Sequence, residues 1–214
     1  MSTKLWRTFK VVIEFRNRVY ANLPTSPEAL RYAVLKSRQS LGLPTEESEV
    51  SEEVKELAEA LPLEEISKCA FLRDEKGLYM RPRNIKGLLK ESLAVIGKRG
   101  AELIRHGVHP YPEKIYFLRK ADGKYETIKK PDGEDIIPMS VITLRGPRSA
   151  VRTDEYIEKP TVMFFVKATE YVLRRLGGAE GLKTLFEVGQ EIGMMGRRSL
   201  GEGKYNLVAF EEVR

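Results

Sequence analysis

One cysteine, Cys69, stands in 214 residues, which excludes an intrachain disulfide and any zinc site built on several cysteines. Such usage is expected of a cytoplasmic chain. No apolar stretch reaches the length of a membrane-spanning helix, and residues 1–9 carry no apolar run followed by a cleavage site. Neither membrane insertion nor export is expected. Histidine is scarce too: His106 and His109 sit together with no third ligand suggested, so neither a resident metal nor a cofactor is expected. Two Gln and four Asn beside abundant Glu, Lys and Arg make the composition of a protein selected for heat resistance. The chain lacks a Gly-Lys-Ser/Thr phosphate loop, a dinucleotide-binding glycine run leading from strand to helix, and a Ser/His/Asp nucleophile motif.

Charge, by contrast, is plentiful and unevenly placed. Lys and Arg total 37 against 31 Asp and Glu, a formal charge of +6. Residues 46–65 hold nine Glu and one Lys, leaving 36 basic against 22 acidic groups elsewhere. A basic body with one acidic segment favours a polyanionic partner. The acidic segment puts Val50, Val54, Leu57, Ala58 and Leu61 on one helical face and reads as a solvated surface helix.

The remaining pattern is mixed. Phe9, Val11, Ile13 and Phe15 alternate within a strand over residues 8–16, and Val162, Phe164 and Val166 alternate again. A capped helix is expected over 27–40, a hairpin around residues 74–77, a helix from Pro82 to about Gly97, another over 181–192, and a last strand over 205–210. Strands at both ends with helices between them predict an α+β, ferredoxin-like βαββαβ sheet with helices on one face. We expect a single domain over 1–214, with insertions at about 42–68 and 101–160, the second irregular, with short strands around 115–118 and 125–128 and then loops.

Three basic segments carry candidate chemistry. In 193–205, Gly193, Gly196, Gly201 and Gly203 surround Arg197 and Arg198 and precede Lys204, between a helix and the final strand. Glycines permit converging backbone N–H groups and the cations neutralise phosphate, so this reads as a phosphate cradle or as a loop of tight turns. At the start of the 82–97 helix, Lys86, Gly87 and Lys90 lie where the helix dipole favours an anion. Arg145, Arg148 and Arg152 form a third cluster in the expected insertion. Tyr111, Tyr116, Phe117 and Tyr125 are aromatics that stack bases if they are not core.

The Gly-rich, Arg-containing loop feeding the last strand resembles the C-terminal signature of the repeat-associated mysterious proteins (RAMPs), ferredoxin-like RNA binders of CRISPR systems. The segment Tyr79-Met80-Arg81-Pro82-Arg83-Asn84-Ile85-Lys86-Gly87-Leu88-Leu89-Lys90 is similar to the pattern opening a helix in the CRISPR backbone subunits, with Arg83-Asn84 in place of the usual Gly-Ser-Ser. The resemblance implies non-catalytic binding of single-stranded RNA, or single-stranded DNA, in a CRISPR or mobile-element ribonucleoprotein. It implies partners among copies of the chain or other subunits, and a thumb-like role for the 145–152 cluster. Processing endoribonucleases of the superfamily use a histidine as general acid or base, so His106 and His109 are the catalytic candidates should the chain cut RNA. A phage or archaeal structural protein whose basic loops make protein contacts is the reading from another class.

Overall fold

The computed structural model describes residues 5–61, 68–143 and 146–213, with side chains over 138–150 left out. In chain order the elements are β1 (Trp6–Phe15), β2 (Arg18–Tyr20), β3 (Leu23–Pro24), α1 (Pro27–Leu41), α2 (Glu47–Ala60), β4 (Lys68–Ala70), β5 (Leu72–Arg73), β6 (Leu78–Met80), α3 (Pro82–Val95), α4 (Ala101–Gly107), β7 (Val108–Tyr111), β8 (Ile115–Ala121), β9 (Lys124–Thr127), β10 (Gly133–Thr143), β11 (Gly146–Glu158), β12 (Thr161–Thr169), α5 (Glu170–Leu176), α6 (Ala179–Ile192) and, after a 3-10 turn at Arg198–Leu200, β13 (Tyr205–Val213). The chain divides into two compact units: Met1–Val19 with Tyr79–Ile128 and Glu158–Arg214, and Tyr20–Leu78 with Lys129–Ile157.

The first unit is an α+β ferredoxin-like fold. Its strands run β13-β1-β12-β8-β6, with β7 also paired to β12. Both neighbours of β1 are antiparallel to it. Taken in the order β1, α3, β7 and β8, β12, α6, β13, the elements make one βαββαβ unit. Strand alternation decides the core: Phe9, Val11, Ile13 and Phe15, with Val162, Phe164, Val166 and Ala168, are buried. They share it with Ile85, Leu88 and Leu89 of α3 and Leu182, Leu185 and Phe186 of α6. The Phe186 ring lies 6.1 Å from Phe164 and 6.0 Å from Phe210. The Tyr205 hydroxyl donates to the Phe186 carbonyl over 2.6 Å, and burial pushes its pKa far upward. This contact needs Gly189, where a β-carbon would sit 2.5 Å from that hydroxyl and 3.0 Å from a Leu88 methyl.

The second unit is built on a long hairpin. β10 and β11 pair from Gly133↔Tyr156 to Thr143↔Gly146, β4 joins β11 in parallel at Asp154↔Cys69, and β3 pairs with β4. α1 and α2 pack together through Leu30 and Val34 on one and Val50 and Leu57 on the other, all buried. The anionic face of α2 is partly neutralised: Arg31 bonds Glu47, and Arg38 bridges Glu49 and Glu53.

Within 101–160 the short strands expected around 115–118 and 125–128 are β8 and β9, while the part expected as loops holds the paired strands β10 and β11, with α4 and β7 before β8. Pro138 and Pro147, with Gly133 and Gly146, hide the period-two pattern there, and strand pairing rather than local propensity holds the hairpin.

Candidate nucleic-acid interface

The loop between α6 and β13 is closed by its own backbone. The Gly193 N–H donates to the Gly189 carbonyl, Met194 to Gly203, Leu200 and Glu202 to Arg197, Gly201 to Arg198, and Gly203 to Arg18. These six donors, of Gly193, Met194, Leu200, Gly201, Glu202 and Gly203, are spent on backbone carbonyls, which removes them from the expected convergence of N–H groups on phosphate. The glycines instead let two backbone segments touch. A β-carbon on Gly203 would lie 2.0 Å from the Met194 carbonyl oxygen, and one on Gly193 2.8 Å from that of Glu202. Gly201 also has positive φ, but open space surrounds its missing side chain. Gly196 is buried. The side chains of Arg197 and Arg198 remain as anion contacts.

Those side chains border an open groove of about 490 Å³ lined by Glu91, Ile192, Met195, Arg197, Arg198 and Ser199. Arg197 sits at a left-handed φ of 57° at the head of the 3-10 turn. The Arg198 guanidinium reaches across to Glu91 of α3, one contact being 3.1 Å. Lys204 Nζ lies 3.0 Å from Glu191 Oε2, and Arg16 bonds the other oxygen of the same carboxylate while also donating to Asn206. These two cations hold the Glu191 carboxyl below the usual range, the Arg16 bond contributing most. Glu91, Glu191 and Arg16 are the members that sequence reading missed. Glu91 and Glu191 lie on ordinary helix faces and Arg16 in the bend after β1, and their pairing spans 13 to 175 positions.

The Arg198–Glu91 bridge brings the Gly-rich loop to the helix that carries the second segment. Glu91 follows Lys90 directly and stands one turn beyond Gly87, whose missing side chain faces open space. Lys86 turns elsewhere: its ammonium donates to the Arg105 carbonyl over 3.1 Å, and desolvation lowers its pKa.

Of the third segment, Arg145 lies outside the described residues and Arg148 is described by its backbone alone, in β11. The segment is therefore mainly strand, where a loop was expected. The Arg152 guanidinium, half-buried, holds the fully buried Asp154 through contacts of 2.7 and 2.8 Å, and this bond raises the guanidinium's pKa. The histidines are on the surface of the first unit. His106 contacts Glu102 at 3.1 Å, and His109 contacts the His106 carbonyl at 3.0 Å and meets Trp6 edge-on. Among the described residues no group of three His, Cys, Asp or Glu is placed to hold a metal ion, and no helix is long and apolar enough to cross a membrane.

No protein-family model matches the chain, and no curated protein does. A solved structure does: the chain is similar, at a TM-score of 0.54 and 14% identity, to a chain in a cryo-EM structure of a type III-B Cmr-beta complex bound to cognate target RNA. The match covers 98% of this chain and 61% of that one. At this identity it is the fold that is shared.

Proposed function

We propose that this protein binds single-stranded nucleic acid, RNA in preference, without cutting it, as a subunit of a CRISPR or mobile-element ribonucleoprotein. Phosphates are held by Arg197, Arg198 and Lys204, with Lys90 and the open surface at Gly87 continuing the track along α3. The observation that carries this reading is the open groove whose lining sets two adjacent arginines, Arg197 and Arg198, beside a single carboxylate, Glu91. The acidic partners do not forbid it. Arg198 and Glu91 are well exposed, as are Lys204 and Glu191. Exposed pairs are worth at most about 1 kcal/mol, so phosphate exchanges with carboxylate at small cost. Likeness of fold to a chain from an RNA-bound complex agrees with the reading. Arg145 and Arg148 are proposed as a further contact segment, whereas Arg152 is committed to Asp154.

The test is anisotropy of a labelled 15-nucleotide RNA across a salt series in the presence of chelator. Each lost phosphate contact on a single strand lowers the log–log salt slope by about 0.7, so Arg197→Ala with Arg198→Ala should lower it by about 1.4 and weaken all sequences alike. An unchanged slope in a folded double variant removes the loop from the site. A discrete cut that vanishes in His106→Ala or His109→Ala would replace binding with the endoribonuclease.

A further inference from the structure

The alternation that sends Phe9, Val11 and Ile13 into the core of the first unit sends Trp6, Thr8, Lys10 and Val12 to the opposite face of its sheet. On β12 the same face carries Met163, Phe165 and Lys167, and on β7 His109 and Tyr111. Register sets these into two cross-strand rows: His109↔Lys167 and Ala168's neighbour Lys167↔Thr8 form one, Tyr111↔Phe165 and Phe165↔Lys10 the other. The Tyr111 and Phe165 rings stack at 5.4 Å with 20° between their planes, and the Lys167 ammonium lies 5.2 Å from the Tyr111 centroid. Both rings and Lys10 are partly exposed, Lys167 and His109 are exposed, and Trp6, 38% exposed, flanks His109. Neither row contains an acid between β7 and β1; the nearest across the sheet, Glu211, stands on β13 opposite Lys10.

We infer that this face is a base-stacking platform for single-stranded nucleic acid. Two parallel aromatic rings offer a π-surface to one or two unpaired bases, and Lys10, Lys167 and His109 lie beside them to meet the connecting phosphates. A buried protein interface would favour apolar neighbours around those rings, whereas these alternate with cations. The inference rests on the single-strand reading above for its ligand, but on none of the residues of the Gly-rich loop.

Trp6, the single tryptophan of the chain, makes the test direct. Oligo(U) and oligo(dT) 15-mers are titrated into the full chain at low salt, with Trp6 emission and anisotropy of the labelled oligomer read together. Tyr111→Leu with Phe165→Leu retains apolar bulk and charge, so it should weaken binding about tenfold with little change in salt slope. Lys10→Gln with Lys167→Gln, surface changes that spare the core, should lower the slope and leave Trp6 responsive at saturation. Arg197→Ala with Arg198→Ala should weaken binding while the saturated Trp6 change persists. Anisotropic binding with silent Trp6 and a wild-type affinity in both face variants overturns the platform and leaves the loop reading standing. Loss of affinity in the face variants alone overturns the loop and supports the platform, and no binding of either oligomer overturns both. A Trp6 emission maximum that shifts with protein concentration in the absence of nucleic acid assigns the face to a second copy and also overturns the platform.

Discussion

Among the described residues the ferredoxin-like unit carries its ion pairs at the rim, whereas the hairpin unit buries two acids, Asp154 and Glu155, in its own. In the first, the pairs Arg198–Glu91, Lys204–Glu191 and Arg16–Glu191 are exposed around an apolar core of strand and helix side chains. In the second, Glu155 is 2% exposed, lies 2.6 Å from Arg73 and 3.6 Å from Lys68, and also accepts from the Phe71 N–H. Next to it on β11, Asp154 is fully buried on Arg152. Charge sealed in this way cannot be exchanged for phosphate without leaving a buried group unpaired. Charge on the rim can. The contrast separates the arginines that hold a fold from those available to a ligand, which residue type and local spacing leave undistinguished.

The largest effect that would test this contrast is at Glu155. Its replacement by Gln should cost about 3 kcal/mol, because Arg73 and Lys68 lose a desolvated partner. Hydrogen exchange should then quicken in β4 and β11 while β1 and β12 stay protected. Equal loss of protection in both sheets would mean that the two units unfold as one.

Gly203→Ala comes next, at about 2–3 kcal/mol by urea denaturation, since its methyl group would overlap the Met194 carbonyl. Gly201→Ala, with the same backbone handedness but free space, should cost only about 1 kcal/mol. Equal costs would show that the loop relaxes away from its closed form.

Smaller still, Glu91→Gln should tighten RNA binding about two- to fivefold by releasing Arg198 from an exposed pair worth no more than about 1 kcal/mol. Weakened binding would make Glu91 a positioning group for the arginine. The smallest effect is pH-dependent. Glu191 has its folded pKa depressed by Arg16 and Lys204, so its stabilising contribution is present above the unfolded carboxylate range and is lost as pH falls through the folded pKa. The difference in urea midpoint between wild type and Glu191→Gln should therefore shrink steadily below the ordinary glutamate range. A constant difference down to strong acid would show that the pairs do not form in solution.

The first unit was legible because its signals are local. Alternation at Phe9 to Phe15 and Val162 to Val166, and helical spacing at Leu88 and Leu185, each report one buried face, and together they determine the βαββαβ order. The hairpin was not legible, for β10 and β11 are held by register with each other and their prolines break the pattern that would announce them. At the candidate site the cations Arg197, Arg198 and Lys204 could be named from composition. The carboxylate partners of Arg198 and Lys204 could not, nor could the bonds from Met194 to Gly203 and from Gly203 to Arg18, because all of these depend on which separate segments meet.

From the sequence alone came the basic body, the single cysteine, the ferredoxin-like element order and the glycine-arginine loop, all properties of composition or of short periods along the chain. Tertiary structure decided which arginine faces a groove and which is sealed on Asp154. It also decided that Gly203 serves backbone contact and that Tyr111 lies on Phe165 beside Lys167. Those outcomes depend on distances between residues far apart in sequence, and electrostatic and steric terms act through distance in space, which no local pattern encodes.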